Sequence, residues 1–473
     1  MAKTRSPRAR LASLALLGVC AGALGVLALC VVTGRLGEMS STAAAGLIAL
    51  LLGTAAATAY AGKRLSDAGV VRVALEIGGL VIALLGAEFM LRVLAPEPPS
   101  SQHARKVDAD RLGLPFDLRS KSDIVAELRA RGIDALPGMS REWPQHPSVR
   151  QQLPEGLFPL SDGSNAEIVE CNESGKYLQF HTDEFGFSNP PGLMLSGHVD
   201  VAAVGESFTV GHCVPRGQGF IAKLRETYPR LANLGMEGSS ALAMLATFRE
   251  YVEPLKPRLV LWIMHPWSAD THSEITDPVL RRYLEPGFSQ HLMERRDEVD
   301  RAIRSIALPV QYESDTAQRV AVETAKHTRF AGVLTLSELR RRLHLPELVA
   351  KSPPPTDLRP FDRSVELARR TTESWGGRFV VVIMPLYEEV VTHNLEGPLH
   401  HDQLTGRLRA QGIEVIDTVP MFATAADPVA LYVMRRANHP SIEGHRMLAS
   451  YIASQLNAHT HNDPMLAHGG VRQ

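Results

Sequence analysis

Three apolar runs in the first hundred residues constrain this chain more than any other feature. Residues 11–33, 43–62 and 73–95 are dominated by Ala, Leu, Val and Gly. Each is close to the ~20 residues an α-helix needs to cross a bilayer core, where the backbone must satisfy its own hydrogen bonds. Three such runs in succession predict a three-helix transmembrane region over residues 1–96. The first comes after Lys3, Arg5, Arg8 and Arg10, a flank shared with signal peptides. Its length and the two runs after it argue against cleavage. The first loop carries only Arg35, the second Lys63, Arg64 and Arg72. The positive-inside rule then puts the N-terminus and second loop in the cytoplasm. Three crossings place the remainder of the chain on the far side of a cell inner membrane, in the periplasm or exterior. The third run carries Glu76 and Glu88, each four residues from an arginine, Arg72 or Arg92. Such pairs neutralise charge near the faces of a tilted helix; the sharper alternative is a functional intramembrane Glu88. If this run does not span, parity flips and the soluble part is cytoplasmic.

The rest of the 473 residues is different in kind, with mixed charge and ample length for a large core. Net charge is −1, which offers nothing to nucleic acid and no polybasic patch to a membrane surface. The expected partners are the lipid bilayer and a small substrate. Residues 97–104, opening on Glu97-Pro98-Pro99, read as a linker. Residues 105–198 are turn-rich and without a repeat. After them short apolar runs alternate with helical spacing: strands are expected at 199–204, 231–234, 258–264, 378–384 and 413–416, helices at 217–228, 239–253 and 441–456. This rhythm predicts a doubly wound, mostly parallel α/β sheet. The charged segment 270–370 interrupts it and reads as a helical insertion, either a lid or a solvated face. Of four cysteines, Cys20 and Cys30 lie in the first apolar run. Cys171 and Cys213 either form a disulfide, suited to an oxidising compartment, or remain free buried thiols.

Gly205-Glu206-Ser207 comes directly after the first strand of the α/β part. Ligands of doubly wound sheets bind beyond the carboxyl ends of strands, so Ser207 is a candidate nucleophile with backbone N–H groups beside it. Asn233 to Ser239 comes after the second strand, with glycines that allow close backbone approach. His439, in Asn438-His439-Pro440-Ser441-Ile442-Glu443-Gly444-His445 before the last helix, is a candidate base, since imidazole titrates near neutrality. His400-His401 and His459-x-His461 have no accompanying ligand spacing, so no metal and no cofactor are expected. Trp262 reads as core, Trp267 as a candidate pocket wall, and Glu388-Glu389 as a loop face.

These blocks, in order and spacing over about residues 160–460, resemble the SGNH/GDSL hydrolase family. Cys171-Asn172-Glu173 and Thr182-Asp183-Glu184-Phe185-Gly186-Phe187 are similar to a membrane-anchored bacterial subgroup of it. The resemblance implies a flavodoxin-like SGNH fold over residues 105–473, with Ser207 as nucleophile, Gly238 as oxyanion glycine and His439 as base. Three positions depart from the family pattern, the mildest being Glu206 in place of the usual Asp. Ser268 falls closest to the expected oxyanion asparagine, and Arg436 stands three residues before His439, where an acid is usual. Asp417 or a backbone carbonyl is left to orient the imidazole. The resemblance implies a membrane-anchored serine esterase acting on ester-linked acyl groups, with a small acyl ester or acylated glycan as substrate. Two alternatives stand beside it: an O-acyltransferase modifying an envelope glycan, and a catalytically degenerate binding or assembly subunit.

Overall fold

The structure, a computed structural model, describes residues 66–94, 101–141, 143–327, 356–392, 399–436 and 439–460 with a few isolated positions. The first two apolar runs (but for one residue), Cys20, Cys30, Asn438 and residues 97–100 of the expected linker lie outside the described residues.

The chain divides into two compact units, residues 1–99 with 320–354 and residues 100–319 with 355–473. In the first, the third apolar run forms α1 (Asp67–Leu94). Its Asp67–Arg92 portion, 26 residues, is long and apolar enough to cross a membrane, the one such helix among the described residues. Both expected i,i+4 pairs are present. Arg72 lies 3.6 Å from Glu76, exposed, and Arg92 Nε donates to Glu88 Oε1 at 2.6 Å. Glu88 Oε2 also accepts the Leu339 N–H at 2.7 Å, so this carboxylate is held by two donors.

The second unit opens on α2 (Ser101–Arg111), which takes up residues expected in the linker, and α3 (Lys121–Ala130). A small sheet comes next: β1 (Ala135–Pro137) pairs parallel with β2 (Glu167–Val169), which pairs antiparallel with β3 (Gln179–His181). Strands of three residues are too short to show a period, which is why this stretch reads as irregular in sequence.

The main sheet is built from β4 (Val201–Gly205), β5 (Leu231–Gly235), β6 (Leu259–Met264), β7 (Arg378–Ile383) and β8 (Glu414–Asp417), in the order β5-β4-β6-β7-β8, every pair parallel. All residues of β4 and β6 are buried, as strands covered on both faces require. The crossover helices are short after β4, as α4 (Ser207–Val210) and α5 (Phe220–Leu224), and longer elsewhere, as α6 (Ala241–Thr247), α7 (Arg296–His327), α8 (Arg359–Ser374), α9 (His401–Ala410) and α10 (Ile442–Thr460). The chain leaves β4 for β5 on one side and returns to β6 on the other. A crevice opens at such a reversal of strand order, beyond the C-terminal end of β4.

Part of the stretch expected as an insertion, residues 270–370, packs against the main sheet. Phe361, Val365 and Ala368 bury the inner face of α8 in the main core, so α8 belongs to the layered sheet. The segment before it is also anchored. Leu280, Tyr283, Leu292, Val299, Ile303 and Ile306 join the same core. The buried Glu250 carboxylate accepts the Tyr283 hydroxyl at 2.6 Å and the Leu292 N–H at 2.8 Å. The described residues from Leu280 to Ile306 thus pack against the core on one side. Trp262 is fully buried core, and Trp267 is half exposed.

Candidate active site

Ser207 opens α4 immediately beyond β4, so the sheet delivers its hydroxyl to the crevice. Close packing dictates the glycine before it: a Cβ on Gly205 would stand 2.7 Å from the carbonyl oxygen of Ile263 on β6. His439 approaches from the loop before α10, with its Nε2 2.9 Å from Ser207 Oγ. Behind the imidazole lies Glu173. Its Oε2 is 3.0 Å from His439 Nδ1 and accepts the His439 backbone N–H at 3.1 Å. A carboxylate there holds the proton on Nδ1, leaving the Nε2 lone pair for the serine hydroxyl. Burial alone would raise the Glu173 carboxyl, but the hydrogen bond and charge of His439, with Arg105 at 3.5 Å, outweigh it and hold its pKa at about 2.

The carboxylate behind the imidazole thus comes from neither expected source. Arg436 turns to an ion pair with Asp108 on α2. Asp417 caps its own turn, accepting the Val419 N–H at 3.0 Å. Glu173 sits 266 positions before its histidine, in the turn between β2 and β3. A signal for it did exist. It lies two residues after Cys171, and Cys213 lies six after Ser207, so pairing these cysteines brings Glu173 towards the serine. Cys171 and Cys213 are disulfide-bonded, with Cα atoms 5.7 Å apart.

Gly238 occupies the loop between β5 and α6 with φ of +72°, a conformation that disfavours any side chain. Among the described residues, neither its N–H nor that of Ser207 is taken up by an acceptor. Arg141, fully buried, clamps this loop. Its guanidinium donates to the carbonyls of Pro159 (2.9 Å) and Leu160 (3.2 Å) and to Ser239 Oγ (3.3 Å), and its N–H donates to the Glu237 carbonyl at 3.0 Å. Burial lowers its pKa to about 10, against the opposing charge of Glu274. Nothing in the sequence distinguishes Arg141 from a surface arginine.

Ser268 is buried in a turn after β6, where its Oγ accepts the His265 N–H at 3.2 Å. No hydrogen bond joins it to Ser207 or His439 among the described residues. His265 instead approaches the serine block. Its Nδ1 accepts the Trp267 N–H (3.1 Å), so its proton sits on Nε2, 2.8 Å from Glu206 Oε1. The second histidine of the C-terminal block is structural. His445 is fully buried beside Phe220, accepts its N–H at 3.2 Å, and burial holds its pKa near 3. Asp183 likewise builds a turn, accepting the N–H groups of Phe185 and Phe187, both at 2.9 Å.

A second histidine–carboxylate pair lies beside the first. His212 contacts Glu170, both buried, and its ring centre is 5.3 Å from that of His439. Burial disfavours the His212 cation, yet the Glu170 carboxylate prevails and raises its pKa to about 9. Glu237 brings a third donor atom within 4.8 Å of this pair, the residues best disposed to hold a cation. A cavity of about 330 Å³ opens over His439, Glu173, His212 and Glu237, walled by polar groups from Arg105, Lys121 and Tyr177 with the ring of Trp143.

By sequence, the chain matches no family model and no curated protein. Solved structures similar to it include a candidate lipolytic protein of the G-D-S-L family from Desulfitobacterium hafniense, at 14% identity, covering 54% of this chain and 99% of that one with TM-score 0.30. A member of the lipolytic protein G-D-S-L family from Veillonella parvula has 11% identity, 54% and 97% coverage and TM-score 0.28. An alpha/beta hydrolase enzyme from the metagenome of Lake Arreo, Spain, has 14% identity, 55% and 96% coverage and TM-score 0.28. At such values the functional reading rests on this chain's own side chains.

Proposed function

We propose that this protein is a membrane-anchored serine esterase acting on ester-linked acyl groups. One observation carries the reading: a serine hydroxyl at the sheet's switch point, an imidazole 2.9 Å away, and a buried carboxylate 3.0 Å behind it. In this mechanism the Ser207 O–H gives its proton to His439 Nε2 as Oγ attacks the ester carbonyl. The N–H groups of Ser207 and Gly238 receive the oxyanion, and Glu173 stabilises the imidazolium. Collapse expels the alcohol, which takes the proton from His439 and leaves an acyl-enzyme. Water then removes the acyl group by the same steps in reverse order. Ser268 serves by holding the turn that carries His265.

The polar walls of the cavity beside His439 favour a small acyl ester or acylated glycan over a long apolar chain. A sugar hydroxyl taking the acyl group in place of water would make the enzyme an O-acyltransferase. The apolar helix α1 supports anchoring, with the soluble domain in the periplasm or exterior. A non-catalytic binding or assembly role is favoured by the Ser268 and Arg436 departures, and Glu173 against the imidazole weakens the second of these.

The test measures p-nitrophenyl acetate turnover and fluorophosphonate labelling for wild type and Ser207→Ala. Both signals are expected in the wild type and absent in the variant; equal signals would sink the proposal.

A further inference from the structure

Two short segments carry the site, residues 170–173 and 207–213, and they are laced together rung by rung. Glu170 pairs with His212, Cys171 is bonded to Cys213, and Glu173 reaches Ser207 through His439. Cys213 Sγ itself lies 3.5 Å from His439 Nδ1. Asn172 points elsewhere and donates to the Asp117 carbonyl at 3.0 Å.

The lacing addresses a specific problem. Glu173 belongs to neither strand nor helix; it sits in the turn between β2 and β3. A side chain on such a turn must be ordered against its own entropy, and no regular element presents it to the imidazole. The disulfide anchors the turn two residues before Glu173 and ties it to the segment that leaves the nucleophile helix. A misplacement of about 1 Å in a catalytic group can cost on the order of 10²-fold in rate.

We propose that the Cys171–Cys213 disulfide, seconded by the Glu170–His212 pair, is a positioning element for Glu173, so that the chemistry depends on the oxidised state of this cysteine pair. The inference rests on the esterase reading above. Cys171 is partly exposed, so a reductant has access to the bond from that side. Dithiothreitol supplies the two electrons and two protons that convert it to two thiols, and closes into its own cyclic disulfide.

The experiment uses the full chain in detergent, untreated or treated with dithiothreitol, beside a Cys171→Ser/Cys213→Ser double variant. Mass spectrometry after thiol alkylation establishes the state of each cysteine. With the bond removed, kcat is expected to fall about 10²-fold with KM within about twofold. The decisive arm repeats the comparison in Glu173→Gln, tracking slow fluorophosphonate labelling over hours. If the bond acts through Glu173, its loss there changes the labelling rate by less than about twofold. An equal loss in both backgrounds, no loss in wild type, or free thiols at both positions in the untreated active enzyme would each overturn the proposal. The dithiothreitol arm starts from folded protein, which separates this effect from failure to fold. Labelling that survives Ser207→Ala would instead defeat the esterase reading, leaving the two failures distinguishable.

Discussion

The main sheet and the irregular region before it, residues 101–198, contribute to one site by opposite means. The sheet supplies Ser207, the proposed nucleophile, and the loops at its rim through local, repetitive structure: a buried strand, a glycine, a short helix. The earlier region has three-residue strands and many turns, yet it supplies the acid Glu173 and the clamp Arg141, both through contacts between residues far apart in the chain. Strand order can place a serine, while the carboxylate behind its histidine depends here on long-range tethers.

Substitutions sharpen that contrast. The largest effect is expected on the sheet side, where Ser207→Ala should lower kcat about 10⁶-fold in ester hydrolysis. Next, on the irregular side, Glu173→Gln should cost about 10⁴-fold by releasing the imidazole tautomer, whereas Asp417→Asn should stay within about twofold. If steady-state rates reversed that order, the acid would belong to the sheet after all. Arg141→Met removes a buried cation and leaves the Pro159 and Leu160 carbonyls without it. A loss of about 3–5 kcal/mol is expected by urea unfolding.

Smaller effects come from titration and capping. His212 keeps its proton in the folded state up to about pH 9, against an ordinary value of 6.5. Its stabilisation is complete below about 6.5 and is lost as pH rises through 9. Asp162, held up at about 8 by burial and by the charge of Glu170, acts in the same direction, because the unfolded chain releases that proton earlier. Unfolding free energies from urea titrations should therefore fall between pH 6.5 and 9, by on the order of 3 kcal/mol, and His212→Gln should make the profile shallower. A profile that rose over this range would contradict the pairing with Glu170. Last, Ser268→Ala should cost about 1 kcal/mol as a lost cap and leave kcat within about threefold. A loss of 10²-fold or more would restore this hydroxyl to the oxyanion site.

Much of this was legible in the residues. Continuous apolar runs such as Leu259–Met264 and Arg378–Ile383 mark strands covered on both faces, because only such strands tolerate apolar side chains in both directions. Ser207 was placed by the strand before it, and His439 by its position ahead of the last helix. Glu173 was not placed, since its role depends on which histidine reaches it across 266 positions. Within the stretch that reads as an insertion, α8 carries many charges on its outer face, which hides the buried Phe361, Val365 and Ala368.

What the amino-acid order determined by itself is the list of elements, the apolar helix α1 and the end of the sheet at which chemistry occurs, because hydrophobic period and turn residues act over a few positions. Only the tertiary structure decided that a loop carboxylate, rather than a neighbour of the histidine in sequence, lies against the imidazole. That choice depends on closing long stretches of chain and burying the closure, an energy no local pattern encodes.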